Sequence, residues 1–177
     1  GAPRRVYTDA GTPVRLFATV SAPHVQPVAV EQRVTSPTDG KSIVCVSDLV
    51  DDKDTVWDYK TKGKSPSADE ARNSDQLTAY TAAHDFAFGR PPSAVALDFF
   101  VRPSKTKPTG FHDAQKSTRN AEQVSVWLDD ARAVASQMKH GEETGLFPFA
   151  AADSWACSAK FCGAWKFCPG GAKRHGL

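Results

Sequence analysis

The sequence predicts a mixed α/β domain, because stretches with strand composition and stretches with helical periodicity alternate along one chain. Three strand-like stretches come first, followed by a helical pattern, a fourth strand and a second helix. The chain has 177 residues, of which 40% are hydrophobic and 24% are charged, as is typical of a soluble globular domain. We therefore expect residues 1–177 to form a single domain, with residues 153–177 as a tail.

The first three strands are predicted from alternating apolar residues and from the turn residues between them. Residues 1–23 are poorly patterned and show no clear helix. Residues 36–40 have the composition of a turn, so the stretches on either side should pair as a hairpin. Residues 51–54 make a second tight connection. The predicted strands of this meander are residues 27–34, 41–50 and 55–61.

Helical spacing of apolar residues predicts a helix over residues 69–86, and Gly89 should end it. A run of β-branched and aromatic residues, 94–102, is the fourth strand. The basic loop that follows contains Lys105 and Lys107, which we expect to contact phosphates if the partner is a nucleic acid.

The second helix is predicted over residues 120–139, with Asn120 and Gln123 as its cap and His140 at its end. No apolar run is long enough to span a bilayer. Four histidines are expected at the surface or at helix ends: His84, His112, His140 and His175.

Acidic residues mark the second and third strands. Asp48 lies near the end of one strand and Asp58 lies in the next, so a hairpin can bring the two carboxylates together. Lys60 leaves the third strand on the same face as Asp58, because side chains two residues apart share a face. Two carboxylates beside an ammonium group suit a divalent cation such as Mg²⁺. The alternative is that all three residues are solvated on an exposed face.

The tail contains three cysteines within twelve residues, Cys157, Cys162 and Cys168. Without a secretory signal pattern, such a cluster favours binding of a metal or of an iron–sulfur cluster, with structural thiols or a disulfide as alternatives. The spacing is not that of a standard zinc finger, and a fourth ligand is not evident. Aromatic and basic residues interleave with the cysteines; they either pack the tail onto the domain or hold single-stranded DNA.

Three segments, "SDLVD", "VWDYKT" and "DQLTAY", resemble in order the nuclease core of the PD-(D/E)XK superfamily. The resemblance is to its RecB-like branch, which includes the nuclease domains of recombination helicase-nucleases and the CRISPR adaptation exonucleases. It implies a restriction-endonuclease-like core, with a mixed central sheet flanked by helices. The closing segment "WACSAKFCGAWKFC" resembles the Cys-rich end that binds a [4Fe–4S] cluster in many relatives.

The resemblance also implies roles for individual residues. Asp48 and Asp58, with the backbone carbonyl of Tyr59, would hold Mg²⁺ or Mn²⁺, and Glu31 is a further candidate ligand. Lys60 would position the attacking water or stabilise charge on the phosphate. The remaining roles are orientation of Lys60 or of the water by Gln76, substrate contact by Tyr80, and binding of a [4Fe–4S] cluster or Zn²⁺ by Cys157, Cys162 and Cys168.

The function implied is that of a metal-dependent DNA exonuclease, acting on single strands or duplex ends in recombination, repair or phage replication. We expect a cytoplasmic protein of a bacterium or phage that does not act at a membrane. A recombination or helicase protein is a candidate partner. Its oligomeric state is not predicted. The alternative is a non-catalytic DNA-binding module in which the cysteines bind a structural metal.

Overall fold

The computed structural model describes residues 11–38, 41–105, 108–151 and 153–176. A five-stranded sheet has the order β1-β2-β3-β4-β5, in which β3 and β4 are parallel and the other neighbours are antiparallel. The predicted mixed α/β class is therefore confirmed. The strands are β1 (Pro27–Thr38), β2 (Lys41–Asp51), β3 (Thr55–Lys62), β4 (Ala94–Val101) and β5 (Phe111–Ser117).

The chain divides into two compact units, one ending at Ala135 and one beginning at Ser136. The first unit contains the whole sheet. Among the described residues, no helix is both long enough and apolar enough to cross a membrane.

The expectation that the first residues contain no helix was wrong. Residues 11–16 are α-helical (α1) and continue into a π-helical turn, Phe17–Ser21, and a 3-10 turn, Ala22–His24. This segment packs by its aromatic residue, since the ring centroid of Phe17 lies 5.3 Å from that of Tyr59 and 6.0 Å from that of Phe100. The helix is hard to recognise in the sequence because residues 14–20 are a short apolar run, and periodicity alone does not tell such a run from a strand.

The first predicted helix exists but begins later than expected. It is α2 (Asp75–Phe88), and the side chain of Ser74 accepts a hydrogen bond from the backbone N–H of Leu77 at 3.3 Å. This N-cap fixes the first turn, while residues 69–73 form turns. Gly89 ends the helix as predicted, with φ of 70°, a conformation that favours glycine.

The second predicted helix is α3 (Ala121–Thr144), which continues past His140 rather than ending there. The predicted cap is confirmed as a capping box. The side chain of Asn120 accepts from the backbone of Gln123 at 2.8 Å, and the side chain of Gln123 accepts from the backbone of Asn120 at 3.0 Å. A glycine with φ of 73°, Gly145, follows the helix instead.

Two further differences concern the sheet. β1 runs on through part of the predicted turn, because Ser36 and Pro37 pair with the start of β2; residues 39 and 40 lie outside the described residues. β5 was not predicted at all. Its sequence, "FHDAQKS", is mostly polar, as suits a half-exposed strand at the edge of the sheet, and it pairs with β4 over seven residues.

The sheet buries apolar side chains on both faces. One face of β3 and β4 packs with Leu77, Tyr80 and Ala83 of α2 into the larger cluster of buried residues. The opposite face carries a smaller cluster of Leu49, Trp57 and Ala96, next to Val25. Because alternate residues of β3 point to alternate faces, Asp58 lies on the α2 side and Tyr59 on the other.

Candidate active site

The candidate site lies where two neighbouring strands separate. β2 and β3 pair only through Leu49 with Trp57 and Val50 with Val56, although β2 is paired with β1 and β3 with β4 along most of their lengths. Continuing the register by one step would place Asp48 opposite Asp58. Instead, the Asp48 carboxylate takes the place of a ladder partner and accepts a hydrogen bond from the backbone N–H of Tyr59 at 2.7 Å.

Asp58 is held by side chains from α2. Its carboxylate is 3% exposed, and its Oδ1 accepts hydrogen bonds from Nε2 of Gln76 at 2.7 Å and from the hydroxyl of Tyr80 at 3.1 Å. Gln76 and Tyr80 are one helical turn apart, so they share the face of α2 that looks onto β3. The helix therefore fixes one oxygen of Asp58.

The Tyr80 hydroxyl contacts the carbonyl of Val46 and the amide of Gln76 as well as the carboxylate of Asp58. It lies 2.9 Å from the backbone carbonyl of Val46 and 2.7 Å from Nε2 of Gln76, which donates to it. Burial, with the Asp58 carboxylate close by, raises the pKa of the Tyr80 phenol. The phenol thus keeps its proton, and its role in this structure is to position Asp58 and the strand that precedes Asp48.

The second oxygen of Asp58 faces the ammonium group of Lys60. Oδ2 is fully buried and lies 2.6 Å from Nζ of Lys60, so the two groups form an ion pair. Among the described residues, no donor meets the geometry of a hydrogen bond to Oδ2. Lys60 is 38% exposed, so its ammonium group also reaches solvent. One carboxylate oxygen is thus fixed by helix α2 and the other is available to positive charge.

A divalent cation fits this donor set. The buried Oδ2 of Asp58 already has the ammonium group of Lys60 as its counter-charge, so the fit of a metal rests on the type of donor: Mg²⁺ in proteins typically takes one or two carboxylates together with waters. Asp48 and Asp58 supply such carboxylates, and the backbone of Tyr59 runs between them. Among the described residues, no three acidic, histidine or cysteine side chains form a ligand group.

Tyr59 separates this site from the other face of the sheet. Burial, together with the negative charges of Asp98 and Asp48, raises the pKa of its phenol to about 12. The ring lies beside Phe17 and Phe100. The side chain therefore stays neutral and packs against the N-terminal segment, while its backbone faces the carboxylates.

The other predicted residues make no contact with the two aspartates that the structure records among its described residues. Glu31 is exposed and has φ of 50°, which is uncommon for a residue other than glycine. In the register of β1 and β2 it stands opposite Asp48, at a step where the two strands are not paired. It does not complete a ligand group with the two aspartates. Lys105 is exposed, and Lys107 lies outside the described residues.

The cysteines of the second unit do not come together. Cys157, Cys162 and Cys168 are all free and partly buried, and among the described residues they do not form a group of three ligands. The thiol of Cys157 is directed to the carbonyl oxygen of Gly170 at 3.5 Å.

Two histidine–aspartate pairs, each with one buried partner, were missed by sequence reasoning, which placed both histidines at the surface or at helix ends. His84 on α2 is 5% exposed; its Nε2 lies 3.0 Å from Asp54 and its Nδ1 lies 3.1 Å from the carbonyl of Arg90. Both partners are acceptors, so each contact is a hydrogen bond only when the ring nitrogen concerned carries the proton. Arg90 also pairs with Asp54.

The second pair lies on the opposite face of the sheet. Asp98 is completely buried; it accepts from the hydroxyl of Ser21 at 2.5 Å and lies 2.5 Å from Nε2 of His112 on β5. The pair ties the N-terminal segment to the sheet behind Tyr59. The one signal in the sequence was a lone aspartate inside an apolar strand, which indicates a buried partner.

Comparison with known proteins agrees with this architecture. The family model of the PD-(D/E)XK nuclease superfamily matches residues 9–169. The chain belongs to this superfamily. No curated protein sequence matches the chain.

Two solved structures match the chain, and the first of them is similar to it in fold. A candidate exonuclease from Eubacterium rectale matches with a TM-score of 0.56 and 9% sequence identity, over 84% of this chain and 57% of its own. The structure of SSO0001 matches with a TM-score of 0.47 and 14% identity, over 93% of this chain and 68% of its own. The chain thus spans little more than half the length of the first of these structures.

Proposed function

We propose that this protein is a metal-dependent DNA exonuclease whose active site is formed by Asp48, Asp58, Lys60 and Gln76. The observation that carries the proposal is the parting of β2 from β3 at two carboxylates, with an ammonium group on one oxygen of Asp58 and an amide on the other. Membership of a nuclease superfamily supports the same chemistry. We further propose that the substrates are single strands or duplex ends that arise in recombination, repair or phage replication.

The side chains divide the work as follows. Asp48 and Asp58 would hold Mg²⁺ or Mn²⁺ with the carbonyl of Tyr59, and the bound ion would bring a phosphodiester to a site that otherwise repels it and would activate water. Lys60 orients the attacking water or stabilises negative charge on the phosphate. Its ammonium group is suited to this because it lies at the site and reaches solvent.

Gln76 and Tyr80 are positioning groups in this proposal. Gln76 keeps Asp58 in one orientation through a 2.7 Å hydrogen bond. Tyr80 fixes both Gln76 and the carbonyl of Val46, two residues before Asp48. Contact of Tyr80 with substrate, and of Lys105 and Lys107 with phosphates, stays a prediction, as does coordination by Glu31.

The cysteines take no part in the proposed reaction. Binding of a [4Fe–4S] cluster or Zn²⁺ by Cys157, Cys162 and Cys168 remains a prediction, which iron and zinc analysis of anaerobically purified protein tests. A protein that contained structural metal and bound DNA without cutting it would fit the non-catalytic alternative instead.

The experiment that tests the proposal is cleavage of end-labelled linear DNA, single-stranded and duplex, with Mg²⁺ or Mn²⁺ and with chelator. We expect metal-dependent release of nucleotides, and no cutting of circular single strands, because an exonuclease needs an end. Asp58→Asn and Lys60→Met should each lower the rate by at least about a hundredfold, as the loss of a charged group at a reaction centre does.

Matched controls are available on neighbouring exposed positions. Asp52→Asn and Lys64→Met change the same residue types outside the site and should leave the rate near that of the wild type. Absence of metal-dependent cleavage on every substrate, or cleavage that survives Asp58→Asn, would refute the proposal.

A further inference from the structure

Three large aromatic side chains of the second unit are mostly exposed. The exposed fractions are 74% for Trp155, 57% for Phe161 and 82% for Phe167. Within the second unit these three rings are therefore exposed at its surface and not packed into a core. Exposed aromatic surface of this extent is characteristic of a binding surface.

Two of these rings form a defined arrangement with a lysine. The ring centroids of Trp155 and Phe161 lie 5.3 Å apart with the planes at 83°, an edge-to-face contact. The ammonium group of Lys160 lies 5.0 Å from the centroid of the Phe161 ring. We call these three residues, Trp155, Lys160 and Phe161, the aromatic surface.

The charge around the aromatic surface selects the kind of partner. The described residues 153–176 include four basic side chains, Lys160, Lys166, Lys173 and Arg174, and one acidic side chain, Asp153. The chain as a whole has a net charge of only +2, so the positive charge of this segment is a local feature. Rings that offer stacking faces next to fixed positive charge complement an unpaired nucleic-acid strand, whose bases stack on the rings while its phosphates meet the lysines.

We propose that the aromatic surface, with Phe167 and Lys166 nearby in sequence, binds single-stranded DNA without sequence preference. In a duplex the bases are already stacked and paired, so their faces are not accessible to Trp155 or Phe161. The inference builds on the proposed nuclease function, since it names the form of the substrate, but its test does not require cleavage.

The test measures binding by the full chain carrying Asp58→Asn, in chelator, so that neither cutting nor its absence affects the result. The probe is a fluorescein-labelled oligothymidylate of roughly 15 nucleotides, about the upper site size of single-strand binding folds. Its anisotropy gives the Kd, and the same strand annealed to its complement is the duplex comparison. Because Trp155 is 74% exposed, stacking of a base on its ring should also quench tryptophan fluorescence.

Trp155→Ala and Phe161→Ala should each raise the Kd for the single strand by roughly 5- to 150-fold, the range found when one stacking ring is removed. Trp155→Phe keeps a ring and should restore most of the affinity. The matched control is Phe86→Ala on α2, an aromatic residue that is also 57% exposed; it should leave the Kd unchanged.

Salt dependence separates stacking from charge. Lys160→Gln should reduce the slope of log Kd against log salt by about 0.7, the value for one phosphate contact on a single strand. Unchanged affinity in both alanine variants would overturn the proposal. So would duplex binding as tight as single-strand binding, or equal loss of affinity in Trp155→Ala and Trp155→Phe. If these variants bind the single strand as tightly as the unsubstituted surface does while the wild type shows nuclease activity, the binding inference is refuted and the proposed nuclease function is not.

Discussion

Replacing His84 by alanine should destabilise the fold by about 2.5–4 kcal/mol. Its Nε2 lies 3.0 Å from the Asp54 carboxylate and its Nδ1 lies 3.1 Å from the carbonyl of Arg90, and His84 is 5% exposed. A buried hydrogen bond to a charged group is worth about 1.5–3 kcal/mol, and the cavity left by the missing ring costs about 1 kcal/mol more. The ring also packs against Phe88, with centroids 4.5 Å apart.

Urea denaturation followed by tryptophan fluorescence measures this effect, since Trp57 is 6% exposed and reports on the core. With a urea dependence typical of small domains, the midpoint should fall by about 1–2 M. His84→Gln places an amide donor near the position of Nε2 and should recover part of the loss. Asp85→Asn, the next residue on the same helix but exposed, is the control.

The pair also anchors the helix that carries the candidate site. Gln76 and Tyr80 lie two turns and one turn before His84 on α2, and Asp54 lies in the connection between β2 and β3. Cleavage should therefore fall in His84→Ala along with stability. The reasoning is refuted if His84→Ala unfolds within about 0.5 kcal/mol of the wild type, the range of a neutral surface substitution.

Three further predictions concern stability. Burial disfavours the ionised form of Asp51, but hydrogen bonds from the Trp57 indole and from backbone N–H groups outweigh it and lower the pKa of the carboxyl group. The stability that the ionised carboxylate contributes is therefore complete above about pH 3.9 and is lost as the pH falls through the lowered pKa. Urea titrations between neutral and acid pH should show a weaker acid dependence of stability for Asp51→Asn. Asp98→Ala removes a completely buried carboxylate from its partners and should cost about 3–5 kcal/mol in thermal unfolding, with faster trypsin cleavage after Arg15 as the N-terminal segment loosens. Asn120→Ala breaks the capping box of α3 and should cost about 1 kcal/mol, measured as a lower midpoint by circular dichroism.

The hairpin carboxylates were predictable because they depend on short-range geometry. Asp48 and Asp58 follow from two strands joined by a tight turn, and Lys60 follows from the two-residue period of a strand. Gln76 is 18 residues from Asp58, and no local pattern connects the two; only the resemblance to a nuclease family placed Gln76 at the site.

Long-range polar contacts were not predictable in the same way. His84 meets Asp54 across 30 residues, and His112 meets Asp98 between two strands of which only one was recognised. A histidine in a helical or polar segment has the same local pattern whether it is solvated or buried against an acid. β5 was missed for a related reason, since an edge strand with one exposed face and many polar residues lacks the apolar alternation that identifies strands.

The hydrogen bond between Asp48 and the backbone N–H of Tyr59 has a consequence for how this site tolerates mutation over time. Every residue except proline has this N–H, so almost any substitution at position 59 leaves the orientation of Asp48 intact. The side chain at this position is then constrained only by packing behind the sheet. Substitution of Tyr59 by another apolar residue should therefore be tolerated, whereas proline alone among the natural amino acids should remove the support of the carboxylate.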